Sequence, residues 1–335
     1  MKLLAARLVF CVVCLVSAPA LCALQEVREV HYQMGTFLEI TLWHADPEAA
    51  RRLIRQSVRE VHRLDGILSN FDPQSSVSRL NQHAGKGKIT IDPELHRLLR
   101  TAHGFSVKTG GYFDVTVGPL VELWRHAGEE RKLPSSRRLD EIKSIIGFRN
   151  LRLYENSEAE LLYPSMAVDL GGIGKGYAVD RVVELLKQAG THVALVNFGG
   201  SSIYALGHPP KHTSWKIAVQ DTDGRLIGFL HLKNTALSSS GTMGRSWHIG
   251  GKAFGHLINP KNGLPVSQKR IATVIAPSAT AAEALTKPLA LLGRSALSTV
   301  QEFPGAEAMI VAEKGSLSFS RGFGVGNQWE EVTAP

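Results

Sequence analysis

The sequence is poor in cysteine, and its few cysteines lie together at the start of the chain. Of 335 residues only 3 are cysteine, namely Cys11, Cys14 and Cys22. A chain that begins after this segment keeps at most one thiol. This excludes an internal disulfide and a metal site built from thiolates, as expected of a large domain that folds in an oxidising compartment without cross-links.

Long hydrophobic runs are also missing. The apolar run from Leu8 to Val16 is too short to span a bilayer, which takes about 20 residues. It follows basic residues and precedes small ones, an order typical of a secretory signal. We therefore predict a signal peptide over residues 1–22 and a mature periplasmic protein without a transmembrane segment. A lipoprotein anchored at Cys22 is the alternative, and the bulky Leu21 disfavours it.

The charge shows no excess concentrated in one segment. Lysine and arginine number 38 against 30 acidic residues, a formal net charge of +8, and the basic residues are scattered along the chain. This pattern favours solubility or an acidic ligand and disfavours nucleic acid as a partner. The mature chain is long enough to bury a sizeable core in one large domain.

Strand and helix patterns alternate irregularly along the chain. Helices are predicted to start at Asp46-Pro47 and at Asp92-Pro93, because each pair combines an N-cap acid with proline in the first turn. Further helices are expected over 174–189 and from Ser278, and strands over 36–42, 194–198, 225–232, 271–276 and 308–312. The sequence therefore predicts a mixed α/β protein with a mixed sheet flanked by helices.

Four segments rich in glycine or turn residues are not needed by the fold alone. They are 109–120, 168–178, 197–200 and 255–263. In the second, glycines precede a helix, so backbone amides can approach a phosphate closely. The alternative is a tight turn between strand and helix. Within it Asp169 is interpreted either as a hydrogen-bonded cap, which is favoured, or as a ligand contact. Lys175 is interpreted either as a phosphate contact or as a solvated side chain, which is favoured for a lysine considered alone.

These segments, in this order, resemble the ApbE family of FAD:protein FMN transferases. The resemblance extends to Met34-Gly35-Thr36, to 69–81 and to 278–293, and covers about residues 30–320. It implies that residues 23–335 form a single domain with an FAD cleft between two lobes. It also implies a Mg²⁺-dependent transferase that passes FMN from FAD to a threonine of a partner protein and releases AMP. The implied acceptor is a subunit of a membrane electron-transfer complex.

The resemblance assigns roles to individual residues. His256 matches the base that accepts the proton of the threonine hydroxyl. The predicted FAD contacts are Met34, Phe71, Tyr112, Phe113, Asp114, Gly171, Lys175, Tyr177 and Ile258. The predicted metal ligands are the carbonyl of Gly174 and side chains of the helix that starts at Ser278, namely Glu283, Thr286 and Lys287.

This last helix departs from the family pattern, which has aspartate followed four residues later by threonine. Glu283 and Lys287 occupy those positions here, and a protonated lysine offers only donors. Pro288 is expected to kink or end the helix at this point. Three interpretations compete: the ammonium of Lys287 supplies part of the charge of the metal ion, a kink brings Thr286 into reach, or the site is broken.

Two other functions compete with the transferase. A non-catalytic periplasmic flavin-binding protein is favoured by Lys287 and Pro288. An FAD pyrophosphatase that releases FMN and AMP differs only in which hydroxyl reaches the phosphate, and the sequence does not distinguish the two.

Overall fold

The structure is a computed structural model that describes residues 23–244, 246–325 and 328–332. The predicted signal peptide, residues 1–22, and its alternative anchor Cys22 lie outside the described residues. Within the described ranges, no helix combines the length and the apolar character needed to cross a membrane.

The strands are short and spread over the whole chain. In chain order they are β1 (Gln25–Gln33), β2 (Thr36–His44), β3 (Ile89–Thr90), β4 (Leu151–Leu153), β5 (Glu158–Leu161), β6 (Ala194–Phe198), β7 (Ser202–Leu206), β8 (Trp215–Gln220), β9 (Leu226–Leu232), β10 (Thr235–Gly241), β11 (Ser246–Ile249), β12 (Lys252–Gly255), β13 (Arg270–Ala276), β14 (Glu307–Ala312), β15 (Leu317–Phe319) and β16 (Trp329–Glu331).

The helices alternate with these strands. They are α1 (Pro47–Leu68), α2 (Ser76–Gln82), α3 (Pro93–Lys108), α4 (Gly118–Glu130), α5 (Ser136–Ile145), α6 (Gly174–Gln188), α7 (Ala279–Leu292) and α8 (Leu297–Gln301). The predicted mixed α/β class is confirmed.

Eight strands form the main sheet, in the order β1-β2-β6-β7-β10-β13-β14-β15. Each neighbouring pair in this sheet is antiparallel. The expectation of a mixed sheet is therefore corrected. Several neighbours are joined by tight hairpins, such as the turn at residues 34–35 between β1 and β2, and a hairpin can only connect antiparallel strands.

The main sheet separates two apolar cores. Strand β7 is buried on both faces, with Tyr204 and Leu206 in one core and Ile203 and Ala205 in the other. The first core contains α1, α3, α6 and α7, and the second contains the small sheet β16-β9-β8. A separate apolar cluster joins α4 and α5 to the hairpin of β11 and β12.

The predicted helix starts are confirmed by their caps. The carboxylate of Asp46 accepts hydrogen bonds from the amides of Glu48 and Ala49, and that of Asp92 accepts one from Glu94. The hydroxyl of Ser278 accepts the amide of Ala281 at the start of α7. Each cap supplies an acceptor to backbone donors that have no partner inside the helix.

Helix α7 does not end at Pro288, contrary to one of the two expectations. It continues through Pro288 to Leu292. Proline inside a helix costs about 3 kcal/mol because it removes one hydrogen bond and crowds the preceding turn. Almost the whole length of α7 is buried against the main sheet and α6, and this packing offsets the cost.

Candidate functional site

The glycine-rich loop before α6 is held in place by its neighbours on both sides. The amide of Asp169 donates to the carbonyl of Val115, 2.7 Å away. The side chain of Asn81 donates to the carbonyl of Val168 at 3.0 Å and accepts its amide at 2.7 Å. The side chain of Asn70 donates to the same carbonyl at 3.0 Å. The segments 69–81 and 112–116 therefore fix the approach to the loop.

Asp169 supports the turn itself. Its carboxylate accepts a hydrogen bond from the amide of Gly171 at 2.7 Å. This bond closes the loop and does not cap α6, whose N-terminus has no side-chain cap. Burial raises the pKa of Asp169, and the hydrogen bond from Gly171 opposes that rise. Gly171 is exposed, whereas Gly174 is buried as the first residue of α6. The loop thus presents its first glycine to solvent and its last to the core.

Helices α6 and α7 cap each other. The carboxylate of Asp180 on α6 accepts the amides of Ala279 and Thr280 at 2.7 and 2.8 Å. In return, Glu283 on α7 accepts the amide of Gly176 at 2.6 Å. A Cβ on Gly176 would lie 2.3 Å from the carbonyl oxygen of Ala279. Glycine is therefore required there for the two helices to meet.

A group of five polar side chains, which we name the lysine cluster, lies between α6, α7 and β10. It consists of Lys175, Ser240, Glu283, Thr286 and Lys287. The ammonium of Lys175 donates to Glu283 at 2.8 Å. That of Lys287 donates to the hydroxyls of Ser240 and Thr286 at 3.0 and 3.1 Å. Lys175 is thus ion-paired and partly buried rather than solvated, which corrects the reading favoured for a lysine considered alone.

The charges in this cluster act strongly on one another. Burial favours the neutral form of Glu283, but Lys175 and Lys287 act against it, and the pKa of Glu283 is lowered. Burial lowers the pKa of Lys287 to about 8, against the attraction of Glu283. Gly172 lies beside this lysine, because a Cβ on Gly172 would be 3.2 Å from Cε of Lys287. The cluster therefore faces the glycine-rich loop.

The segment 112–116 is a rigid turn next to the loop. Asp114 is buried, and its carboxylate accepts the amide and hydroxyl of Thr116 at 2.8 and 2.7 Å and the amide of Phe148 at 2.7 Å. Burial raises its pKa. Phe113 is also buried, and the ammonium of Lys261 lies 5.7 Å from the ring centre of Tyr112. Asp114 therefore shapes the turn, while Tyr112 is only partly buried.

The two predicted flavin contacts near the start of the chain occupy different environments. Met34 packs against the main core and has a φ of 44°, in the left-handed region that non-glycine residues rarely adopt. Phe71 lies in the turn after α1 and is 97% exposed. Such strain at Met34 is common near functional sites, and the exposed Phe71 has no role in the core.

His256 follows β12 and is exposed. The preceding residue, Gly255, lies against the residue that follows β10, because a Cβ there would be 2.1 Å from the carbonyl oxygen of Thr242. Ser240 of the lysine cluster is two residues before Thr242. The end of β10 therefore brings the histidine segment and the lysine cluster to the same region. Ile258 is buried in the small cluster beside α4.

Tyr177 belongs to a second ionic group, which we name the arginine cluster. It consists of Glu60, Arg63, Glu94, Tyr177 and Arg181. The hydroxyl of Tyr177 donates to Glu94 at 3.0 Å, and Arg181 lies 3.1 Å from the same carboxylate. Burial is the main cause that raises the pKa of Tyr177 to about 12. The tyrosine hydroxyl is therefore engaged between α3 and α6.

The side chains among the predicted metal ligands are engaged in hydrogen bonds within the protein. Mg²⁺ requires about six oxygen ligands in octahedral geometry, usually with one or two carboxylates. Here both carboxylate oxygens of Glu283 accept hydrogen bonds, and the hydroxyl of Thr286 donates to the carbonyl of Glu283 at 2.7 Å. Lys287 points at the remaining hydroxyl oxygens. No group of three or more acidic, histidine or cysteine side chains in the described ranges is arranged to hold a metal ion.

Ser240 belongs to the lysine cluster and is not among the residues predicted from the sequence. Its hydroxyl lies 2.8 Å from that of Thr286 and accepts the ammonium of Lys287. The signal in the sequence is the run of small polar residues over 238–242, which is unusual for a central strand. Its importance becomes visible only once β10 is paired beside α7.

The chain is similar to known proteins over most of its length. The model of the ApbE family matches residues 34–310. The FAD:protein FMN transferase of Escherichia coli strain K12 is 28% identical over 291 residues, which cover 84% of this chain and 83% of the relative. That of Haemophilus influenzae is 32% identical over 262 residues, covering 75% of this chain and 72% of the relative.

Solved structures show the same fold. The crystal structure of the ApbE protein of Thermotoga maritima superimposes with a TM-score of 0.80 at 29% identity, and the match covers 89% of this chain and 98% of that one. The family match spans each segment that surrounds the lysine cluster. The chain therefore belongs to the ApbE family.

Proposed function

We propose that this chain is an FAD:protein FMN transferase, an enzyme that moves the FMN half of FAD onto a hydroxyl group of a second protein. The observation that carries the proposal is the extent of the match. Relatives named for this activity align with more than four fifths of the chain, and the family match includes the glycine-rich loop, both lysines and His256.

The geometry of the loops supports a ligand with a pyrophosphate. Gly171 is exposed, and Gly172 lies against the side chain of Lys287. A second ammonium group, that of Lys175, belongs to the same cluster through its ion pair with Glu283. Phosphoryl transfer requires positioning and neutralised charge rather than a covalent intermediate. The site therefore has the chemical properties that cleavage of a pyrophosphate needs.

The proposed reaction is a single displacement. The acceptor oxygen forms a bond to the phosphorus of the FMN half, the bond from that phosphorus to the bridging oxygen breaks, and AMP leaves with the electron pair. His256 takes the proton of the acceptor hydroxyl, since a histidine near neutrality can act as a general base. Magnesium stays a prediction from the resemblance, and the proposed displacement is carried by residues of the chain.

The proposal extends to the acceptor and its compartment. We take the accepting residue to be a threonine of a subunit in a membrane electron-transfer complex, and the chain to act in the periplasm after loss of residues 1–22. The resemblance and the order of residues at the N-terminus support these points.

Mass spectrometry of a candidate acceptor tests the proposal. The purified mature chain is incubated with FAD and the acceptor, and the acceptor is digested and sequenced. We expect one FMN group on a threonine, its absence with the His256→Ala variant, and AMP in equal amount. Release of free FMN and AMP without transfer would indicate the pyrophosphatase, and bound but intact FAD would indicate the flavin-binding protein.

A further inference from the structure

The lysine cluster carries more positive than negative charge. Lys287 is acted on by two charged groups, Glu283 and Lys175. Two ammonium groups and one carboxylate leave an excess of one positive charge. A site for a divalent cation needs an excess of negative charge, because the cations already present repel the metal ion and weaken its binding.

The ammonium of Lys287 also occupies the oxygen atoms that a cation would use. Its donors reach the hydroxyls of Ser240 and Thr286 at 3.0 and 3.1 Å. Those two hydroxyl oxygens are themselves 2.8 Å apart. This separation is that of a hydrogen bond, in which Ser240 is the donor because Thr286 already donates to the carbonyl of Glu283. Both oxygens are therefore engaged within the protein. In this chain the positive charge beside these hydroxyls is the ammonium of Lys287.

A lysine ammonium has three N–H donors. Among the described residues Ser240 and Thr286 account for two of them, so one is left for an oxygen of a ligand. Lys287 is only partly buried, and so is Lys175, whose side chain is 27% exposed. Both residues therefore keep some contact with solvent, and the side chain of Lys287 lies against Gly172 of the glycine-rich loop.

We propose that Lys287 takes the place of the divalent cation and binds a pyrophosphate oxygen of FAD directly, so that this chain binds FAD without metal. The inference rests on the proposed function, because it is FAD that supplies the pyrophosphate. Lys175 holds Glu283 in the orientation that caps α6 and contributes the second positive charge.

Titration with FAD in the presence of EDTA, repeated in the presence of Mg²⁺, tests the inference. We expect the Kd of the unaltered chain to differ less than about threefold between the two buffers. Lys287→Met should raise the Kd in EDTA by about 10- to 100-fold, the usual effect of losing a hydrogen bond to a charged group. Lys88→Met is the control, since Lys88 is an exposed lysine paired with Glu158 outside the cluster.

A second variant guards against loss of folding and restores a metal ligand. Lys287→Thr should bind FAD weakly in EDTA and recover its affinity with Mg²⁺. In the absence of FAD it should also reduce the electron paramagnetic resonance signal of free Mn²⁺ more than the unaltered chain does.

Each outcome bears on one of the two proposals. If the unaltered chain binds FAD only when Mg²⁺ is present, or if Lys287→Met binds FAD normally in EDTA, the inference is overturned and the proposed function stands. If FAD binds in neither buffer, the proposed function is overturned, and this inference with it.

Discussion

The first two turns of α6 contribute residues to both ionic clusters, and the two clusters differ in how their positive and negative charges are paired. The arginine cluster joins Glu60 and Glu94 to Arg63 and Arg181, and Arg181 also pairs with Glu184 on the same helix. Each arginine therefore has at least two acidic partners. The lysine cluster opposes one glutamate to two lysines. A cluster in which every cation has an acidic partner stabilises the fold. An unbalanced one has charge left for a ligand.

The contacts of the arginine cluster agree with a structural role. Glu94 accepts the hydroxyl of Tyr177 and lies within ion-pair distance of both arginines. These contacts tie α1, α3 and α6 together. Removing one member of such a partly buried group leaves its partners without compensation, which costs stability.

His256→Ala gives the largest expected effect and separates chemistry from binding. Loss of a general base lowers the rate of flavin transfer by about 100- to 10,000-fold. The Kd for FAD should change less than about threefold, because a base acts mainly in the transition state. Single-turnover transfer measures the rate, and titration with FAD measures the Kd. A variant that keeps its rate would remove His256 from the proposed reaction.

Gly172→Val tests whether the lysine cluster and the glycine-rich loop act on one ligand. The new side chain must fit where Cε of Lys287 is 3.2 Å and Phe113 is 3.7 Å from the Cβ position. We expect FAD affinity to fall by about 100-fold or more, a loss of roughly 3 kcal/mol, while the chain stays folded.

Gly104→Val is the matched control for that variant. Gly104 lies in α3, and a Cβ there meets no atom within 4 Å. FAD affinity should be unchanged. Equal affinity in both variants would mean that the loop is only a structural turn.

Tyr177→Phe tests how much the uncharged member of the arginine cluster contributes to stability. The variant loses the hydrogen bond to Glu94. A hydrogen bond to a charged group contributes about 1.5 to 3 kcal/mol, so the free energy of unfolding in urea should fall by up to that amount. If FAD affinity falls and stability does not, the tyrosine contacts FAD as the family resemblance predicts.

The smallest expected effect is the response of the arginine cluster to acid. The hydrogen bond from Arg63 is the main cause that lowers the pKa of Glu60 below 4.5. A lowered pKa in the folded state gives stability that is present above the unfolded value and is lost as pH falls through the folded value. Urea unfolding near pH 4 and pH 7 should show a smaller acid loss in Glu60→Gln than in the unaltered chain.

Local signals in the sequence predicted much of this fold. The pairs Asp46-Pro47 and Asp92-Pro93 marked helix starts because capping involves only a few neighbouring residues. The glycine-rich loop before α6 was found for the same reason. The predicted FAD contacts and His256 remain predictions, since they depend on a ligand.

Contacts between distant segments were beyond the sequence. Ser240 contacts Lys287 and Thr286 only because β10 lies next to α7. Ser240 and Thr286 are 46 residues apart in the sequence. Pro288 stays helical because α7 is packed on both sides, which no local rule reveals. The antiparallel order of the sheet depends equally on long-range pairing.

The contrast between the two clusters is tested most directly by measuring FAD affinity in EDTA and the free energy of unfolding for Lys287→Met and Glu94→Ala side by side. We predict that Lys287→Met weakens FAD binding about 10- to 100-fold without loss of stability. We predict that Glu94→Ala lowers stability by about 2 to 4 kcal/mol while FAD affinity per folded molecule is unchanged. If Lys287→Met leaves FAD affinity intact, or Glu94→Ala abolishes it in folded protein, the division between a ligand-binding and a structural cluster is contradicted.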